Sequence, residues 1–326
     1  MKTLPVLLLA AVTLVAQDTS EAHLAAAKAA AGNDFVNLFN FQCYGPGPGG
    51  QRPVPGAAVA QGKQGGGQAK GGGAPRQPGP PDPSTYHREP AKVFDNLYWF
   101  GQSEYAVWAI TTSQGIIVID TIFDYSVEDE VVNGMKKLGL DPANIKYVVV
   151  THPHPDHDGG AKYLQDHYGA RVIMSPADWD VLDKRTNGTK PKRDIEATDG
   201  QKLTLGDTTI TLYITPGHTP GTISLLYPVK DNGTPHLVAE WGGVGLNADK
   251  ESVQTYIKSN QRFAGIVKQA GADIVLANHT DWDGSKVYIP ALADRKPGTP
   301  NPYIVGNAKV LNYLKVAEEC ALSRIN

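Results

Sequence analysis

A cluster of three histidines and one aspartate within six consecutive positions constrains this chain more than any other feature of its sequence. His152, His154, Asp156 and His157 follow an apolar run, residues 145–150, which predicts a β-strand. Zinc prefers imidazole and carboxylate ligands, and alternate residues of an extended chain point the same way, so His152 and His154 can bind one ion together. Asp156 and His157 are adjacent and need a turn to converge, which indicates a second ion beside the first. The sequence therefore predicts a metal site for two ions.

The spacing His-x-His-x-Asp-His resembles the signature of the metallo-β-lactamase superfamily. Two later segments extend this resemblance. Residues 215–221, with the sequence TPGHTPG, resemble its second motif, and residues 273–279 form a short β-rich run that ends in a histidine. The resemblance implies two zinc ions, each with three protein ligands and an open position, which is the catalytic arrangement. It assigns His152, His154 and His218 to the first ion and Asp156, His157 and His279 to the second.

The same resemblance implies a hydrolase. Zinc lowers the pKa of a bound water to about 7, so a metal-bound hydroxide can act as the nucleophile at neutral pH. Asp156 is then the catalytic residue that orients this nucleophile. Asp120 ends an apolar run and is either a turn residue or a carboxylate that holds a ligand histidine through its other ring nitrogen; the resemblance favours the second role. His87, His167 and His236 lack ligand spacing and are predicted to be surface or paired core histidines.

β-rich runs alternate with helical patterns over most of the chain, and this order suits an α/β fold, the αββα sandwich of the superfamily. We therefore predict one catalytic domain over residues 84–326, with the metal ligands on loops at one edge of the sheets. The predicted strands cover residues 96–100, 106–110, 115–120, 145–150 and 171–174, with others near residues 203, 211, 223 and 237 and before His279. The predicted helices cover residues 127–138, 161–168, 177–184, 250–270 and 307–323.

Three segments precede this domain. Residues 1–16 contain a lysine followed by a short apolar run, which predicts a signal peptide and a periplasmic or secreted protein. Residues 20–44 are predicted to form a short helical segment, with Ser20 as a candidate N-cap and Gly32 as the stop. Residues 45–83 consist largely of glycine, proline and glutamine and are predicted to be a disordered tether, because they cannot bury enough apolar surface to fold.

The chain has only two cysteines, Cys43 and Cys320. In an oxidising compartment they can form one disulfide between the N-terminal segment and the last helix, or remain unpaired. Neither lies near a metal motif. The subclass of metallo-β-lactamases with a cysteine ligand at the second zinc is thereby excluded, and the resemblance is to the third subclass, which uses histidine there.

The charge pattern narrows the class of partner. The net charge is −3, and no dense run of lysine and arginine suggests a groove for a phosphate backbone, so nucleic acid is not expected as a partner. The apolar run at the N-terminus is too short to span a membrane, so stable membrane insertion is not expected either. A small-molecule substrate fits this pattern, and the oligomeric state stays open.

Substrate choice depends on the segment 237–243, where many hydrolases of the superfamily carry an aspartate that bridges the two zinc ions. The candidates here are Glu240, Trp241 and Gly242, and none is an aspartate. Trp241 either stands near the metals or fills the core. Trp282 and Phe123 are candidates for walls of the substrate pocket.

These observations favour hydrolysis of a β-lactam amide by an enzyme similar to third-subclass β-lactamases. The alternatives are a lactonase, esterase or thioesterase on the same metals, or a non-catalytic metal-binding protein.

Overall fold

The computed structural model describes residues 19–45, 80–296 and 298–326 of the chain. The predicted signal peptide and most of the predicted tether lie outside these ranges. Within them, two β-sheets pack face to face and helices cover their outer faces. The predicted α/β fold, an αββα sandwich, is confirmed.

The first sheet has seven strands in sequence order. Its first four strands are antiparallel, and the next three continue from the fourth in parallel. The strands are β1 (Ala91–Lys92), β2 (Leu97–Gly101), β3 (Ala106–Thr112), β4 (Gly115–Ile119), β5 (Ile145–Val149), β6 (Arg171–Met174) and β7 (Ile195–Glu196).

The second sheet has five strands in the order β12-β11-β10-β9-β8. β8 to β11 form an antiparallel meander, and β12 pairs with β11 in parallel. The strands are β8 (Gln201–Leu205), β9 (Thr208–Ile214), β10 (Ile223–Asp231), β11 (Thr234–Trp241) and β12 (Ile274–Ala277).

The inner faces of both sheets share one hydrophobic core. Trp108 on β3 is fully buried in it, and its indole Nε1 donates across the sandwich to the carbonyl of Ala277 at 3.1 Å. A buried indole N–H needs a partner, so this bond helps to fix the spacing of the two sheets.

Helices cover both outer faces. The helices α1, α2, α8 and α10 pack on the second sheet, and the helices that follow β4 to β6 pack on the first. The α-helices are α1 (Ser20–Ala31), α2 (Val36–Tyr44), α3 (Pro83–Tyr86), α4 (Asn133–Lys137), α5 (Pro155–Asp158), α6 (Ala161–Tyr168), α7 (Pro176–Lys184), α8 (Lys250–Ala270), α9 (Ser285–Ala293) and α10 (Asn307–Leu322). None of the helices in the described segments is both long enough and apolar enough to cross a membrane.

Several local predictions need correction. The helix expected over 127–138 begins as a π-helix, Val127–Val132, before α4 continues it. The N-cap of α1 is Thr19, whose side chain accepts from the backbone N–H of Ala22, and not Ser20. β4 ends one residue before Asp120, because Asp120 has a φ of 58° and leaves the extended conformation.

Cys43 and Cys320 form a disulfide with their Cα atoms 4.6 Å apart. This bond joins the end of α2 to α10, against which α1 also packs. The N-terminal helical segment is thus covalently attached to the outer layer of the second sheet.

One carboxyl group is buried beneath that sheet. Glu240 on β11 accepts a hydrogen bond from the hydroxyl of Tyr227 at 2.8 Å, and its other oxygen has no partner. Burial raises the pKa of Glu240 to about 8. The folded protein therefore keeps a proton at this site that the unfolded chain releases near pH 4.3.

This burial predicts a loss of stability with rising pH. Between about pH 5 and about pH 8 the folded state binds more protons at Glu240 than the unfolded state, so the free energy of unfolding falls as pH rises. A Glu240→Gln variant does not titrate at this position. We therefore expect its free energy of unfolding to fall less than that of the wild type over this range, by a difference of at least about 1 kcal/mol. Urea unfolding at several pH values measures the difference. Glu251→Gln, at an exposed position of α8, is the control and should follow the wild type.

Candidate metal centre

The clustered residues His152, His154, Asp156 and His157 occupy a loop and a short helix after β5. His154 has an extended backbone conformation, and α5 begins at the next residue, Pro155. His152 and His154 therefore precede the turn, while Asp156 and His157 lie on it. The turn closes against neighbouring backbone, since a Cβ on Gly159 would lie 2.4 Å from the carbonyl oxygen of Pro155.

The other two predicted ligands come from the second sheet. His218 lies in the turn between β9 and β10, and His279 lies two residues beyond β12. The backbone of His279 also forms an isolated β-bridge with Tyr105, which connects this loop to the first sheet.

The structure brings the six residues together in two groups, and the candidate ligand atoms of each group lie within 4.8 Å of one another. The two groups are adjacent, because the rings of His152 and His157 are 4.1 Å apart. The groups are His152, His154 and His218, and Asp156, His157 and His279.

The hydrogen bonds of the first group fit a cation. Nδ1 of His152 contacts the carbonyl of Gly242 at 2.9 Å, and Nδ1 of His218 contacts the carbonyl of Gly245 at 2.8 Å. A carbonyl only accepts, so both Nδ1 atoms carry the proton and both neutral rings leave Nε2 unprotonated. These two Nε2 atoms lie 3.1 Å apart, and Nδ1 of His154 is 3.2 Å from Nε2 of His218. Two facing lone pairs repel each other, and a shared metal ion removes the repulsion.

Four of the five candidate ligand histidines are held neutral, as metal ligands must be. Burial lowers the pKa of His152 well below its usual value and that of His154 to a smaller extent. Burial also lowers the pKa of His218 to about 4 and that of His279 to about 3. Imidazoles that remain unprotonated at neutral pH are available to bind a metal.

The second group contains the acidic residue. Burial acts against the charged form of the Asp156 carboxyl, but His157 outweighs it and lowers the pKa of Asp156. Burial likewise acts to lower the pKa of His157, and Asp156 and Asp120 outweigh it and raise this pKa to about 10. His157 Nε2 is buried without a hydrogen-bond partner, which fits a metal ligand.

Asp120 contacts a candidate ligand of the second group. Its Oδ2 lies 2.9 Å from Nδ1 of His157, and its Oδ1 accepts from the backbone N–H of Thr151 at 2.8 Å. Because Nδ1 faces a carboxylate, Nε2 of His157 is left to face Asp156 Oδ2 at 3.1 Å. A carboxylate in this position fixes both the tautomer and the orientation of the ring.

Two supporting residues were not found from the sequence. Asp178 on α7 accepts from the hydroxyl of Thr219 at 2.6 Å and the backbone N–H of Gly221 at 2.8 Å, so it holds the turn that carries His218. Asn278 donates to the carbonyl of Gly242 at 2.9 Å. Both act across distant parts of the chain, and no local spacing signals either.

The candidate pocket walls divide into two classes. Trp241 is only 1% exposed and lies in the core beneath α8, where its Nε1 donates to the hydroxyl of Tyr256 at 2.9 Å. It is therefore a core residue and cannot contact substrate, which corrects its candidate role. Trp282 stacks on His279 with ring centroids 4.0 Å apart. Phe123 packs edge to face on Tyr105, whose ring lies 5.1 Å from that of His279.

The three other histidines singled out above have partners away from this centre. His87 contacts Glu130 at 2.9 Å, His167 contacts the carbonyl of Tyr163 at 3.0 Å, and His236 contacts Asp273 at 2.6 Å.

The contacts of Asp120 generate a prediction. In an Asp120→Asn variant the amide can still accept from Thr151, but its N–H₂ group no longer accepts from His157. We expect affinity for the ion of the second group to fall about tenfold to a hundredfold, while the first group is unaffected. Competition against a chromophoric chelator measures both affinities. Asp231→Asn, which removes a carboxylate paired with Arg295 at 2.7 Å, is the control. Unchanged affinity in Asp120→Asn would contradict the role of this carboxylate.

Comparison with known proteins agrees with this geometry. Residues 101–231 match the family model of the metallo-β-lactamase superfamily. The N-acyl homoserine lactonase AttM of Azorhizobium caulinodans is 26% identical over 195 residues, which cover 52% of this chain and 72% of the lactonase. The hydroxyacylglutathione hydrolase of Pseudomonas aeruginosa strain LESB58 is 29% identical over 147 residues, or 38% of this chain. The chain spans only 53% of the length of that hydrolase.

The solved structures cover a larger share of this chain than these two curated relatives do. BJP-1, a subclass B3 metallo-β-lactamase of Bradyrhizobium japonicum, is 29% identical with a TM-score of 0.60, covering 72% of this chain and 92% of BJP-1. GOB-18 of Elizabethkingia meningoseptica has a TM-score of 0.60 at 24% identity, covering 76% of this chain and 96% of GOB-18, which shows a shared fold. Residues 101–231 therefore form a region that matches the metallo-β-lactamase superfamily, and subclass B3 metallo-β-lactamases are among the structural neighbours of the chain.

Proposed function

We propose that this protein is a zinc-dependent hydrolase that opens the amide of β-lactams. The observation that carries the proposal is the ligand set. Each group offers three donors, and only one of the six is a carboxylate, Asp156. The 29% identity to BJP-1 over most of its length favours the same substrate class for this set.

The end of β11 supports this assignment, because it offers no acidic ligand to either group. Glu240 bonds to Tyr227 inside the sandwich, and Trp241 lies in the core. Gly242 has no room for a side chain, since a Cβ there would lie 1.7 Å from the carbonyl oxygen of Ile223. A bridging aspartate, as expected of the lactonase and glyoxalase branches, is thus missing from this segment.

The nitrogen and carboxylate donors suit zinc, and we assign one ion to each group. Bound zinc would lower the pKa of a water molecule and polarise the carbonyl under attack. The chain itself supplies the arrangement. Asp156 is partly exposed and ionised, and its oxygens can accept a hydrogen bond from a water molecule while its Oδ2 remains 3.1 Å from Nε2 of His157 and 3.6 Å from Nε2 of His279. We assign it the role of orienting the nucleophile.

Aromatic side chains beside His279 would exclude water and contact the apolar parts of a substrate. Trp282 stacks on that histidine, while Phe123 reaches the same side through Tyr105. The rings of Trp282, Phe123 and Tyr105 are partly exposed. We propose that they form one wall of the substrate pocket.

A lactonase is the second candidate. The match to the lactonase AttM covers 72% of that protein, and the same donors can polarise a lactone carbonyl. The hydrolysis experiment that follows includes a lactone substrate and so tests this candidate.

We propose that the protein is located in an oxidising compartment, either the periplasm or the cell exterior. The Cys43–Cys320 disulfide supports it, since such bonds persist mainly outside the reducing cytosol.

The test is hydrolysis by purified protein loaded with zinc. The substrates are a chromogenic cephalosporin, a carbapenem, an N-acyl homoserine lactone and a hydroxyacyl glutathione thioester. We expect kcat/KM to be highest for the β-lactams and to fall more than about a hundredfold in His154→Ala, because loss of a direct ligand should exceed the effect of losing a supporting contact. His167→Ala, which removes an exposed histidine on α6, should retain the activity.

Each outcome has a distinct meaning. Higher kcat/KM for the lactone would replace the β-lactam assignment with the second candidate. Zinc binding without turnover of any of these substrates would reject both assignments.

A further inference from the structure

Helix α2 contacts residues that border the candidate metal centre. Gln42, near the end of this helix, is 1% exposed, and its side-chain amide donates to the hydroxyl of Tyr256 at 2.8 Å and to the carbonyl of Val244. The next residue, Gly245, supplies the carbonyl that contacts Nδ1 of His218 at 2.8 Å. One peptide unit therefore separates the amide of Gln42 from the contact that orients a ligand of the first group.

The segment between β11 and α8 has little freedom to move independently of His218. A Cβ on Gly243 would lie 2.7 Å from Cβ of His218, and a Cβ on Gly245 would lie 3.0 Å from its ring. Backbone and ring are thus in close contact over these residues. We therefore expect a displacement of the Val244 backbone to shift the imidazole of His218.

A second contact of α2 leads to the other group. The ring of Phe41 lies 4.5 Å from that of Trp282 at an interplanar angle of 30°, and Trp282 in turn lies 4.0 Å from the ring of His279. Phe41 therefore supports the aromatic side chain that packs on a ligand of the second group.

The end of α2 is itself held in place. Cys43, the residue after Gln42, is bonded to Cys320 of α10. Arg324 donates to the carbonyl of Gln42 at 2.6 Å and reaches the carbonyl of Leu246 at 3.5 Å. The same guanidinium thus contacts both α2 and the segment that orients His218.

We propose that Gln42 and Phe41 are positioning residues of the metal centre. Gln42 acts on the ion of the first group through Val244 and Gly245, and Phe41 acts on the ion of the second group through Trp282. The N-terminal helical segment is then part of the metal site, although it lies more than 100 residues before the first ligand. The inference rests on the two-ion site proposed above and is independent of the substrate.

The two contacts predict separable effects. Gln42→Leu removes the donor to Val244, and Phe41→Leu removes the aromatic face beneath Trp282 while keeping an apolar side chain. Supporting contacts of metal ligands typically change metal affinity about tenfold to a hundredfold. We expect an effect of this size on the first ion in Gln42→Leu and on the second ion in Phe41→Leu, with little change at the other ion in each case.

The experiment measures affinity for Co²⁺ and Zn²⁺ in the full chain by chelator competition, and the Co²⁺ absorption spectrum reports the ligand geometry. Two reference variants, His154→Ala and His279→Ala, each leave one group of three intact and so assign each ion. Phe35→Leu is the matched control. Phe35 immediately precedes α2 and packs on Tyr313 of α10 with ring centroids 5.4 Å apart, so its loss weakens the packing of the same helices without touching the metal ligands.

The expected result is an ion-specific loss of affinity and an altered Co²⁺ spectrum in the Gln42 and Phe41 variants, with wild-type metal binding in Phe35→Leu and in the conservative Phe41→Tyr. If Gln42→Leu does not fold, Gln42→Met replaces it, because methionine has a similar length and no donor for Val244. Equal weakening of both ions in all three leucine variants, or no weakening in any, would overturn the proposal. Failure of the wild type to bind a second ion would instead reject the two-ion site, and the inference would be judged on the ion that remains.

Discussion

His152 and His218 turn unprotonated nitrogens toward each other at 3.1 Å, and this repulsive arrangement has to be held by the rest of the protein. Two backbone carbonyls fix the protons on the far side of the rings. Both carbonyls come from the segment after β11, where glycines allow the backbone to approach the imidazoles closely. The folding free energy of the sandwich offsets the repulsion between these nitrogens, and a bound cation removes part of that repulsion.

The sandwich supplies this arrangement because its strands end at one edge. β4 and β5 deliver Asp120 and the cluster after Val149, while β9, β11 and β12 deliver the remaining ligands and carbonyls from the second sheet. The Trp108–Ala277 hydrogen bond connects the two sheets next to that edge. Side chains more than 100 residues apart in sequence are therefore set by the spacing of two stiff layers rather than by flexible loops.

Much of the fold and of the candidate metal centre could be predicted from the sequence, but the signal differed from residue to residue. The spacing from His152 to His157 is local, so it signals a metal without any tertiary information. The assignment of His218 and His279 needed the resemblance, because nothing in the sequence states that β9 and β12 end beside β5. Trp241 was ambiguous because an apolar strand does not reveal which layer each face meets. Gln42 gave no signal at all, since its partners at Val244 and Tyr256 are about 200 residues away.

The Cys43–Cys320 disulfide determines how the glycine- and proline-rich segment after Cys43 is attached to the folded protein. Gly45 stands two residues after a cysteine anchored to α10, and α3, at the other end of the segment, begins a stretch that runs directly into the first sheet. Both ends are therefore attached to the same folded body. A single cut within residues 46–79 would leave two polypeptides joined covalently, so the helices that precede it would stay with the domain until the disulfide is reduced.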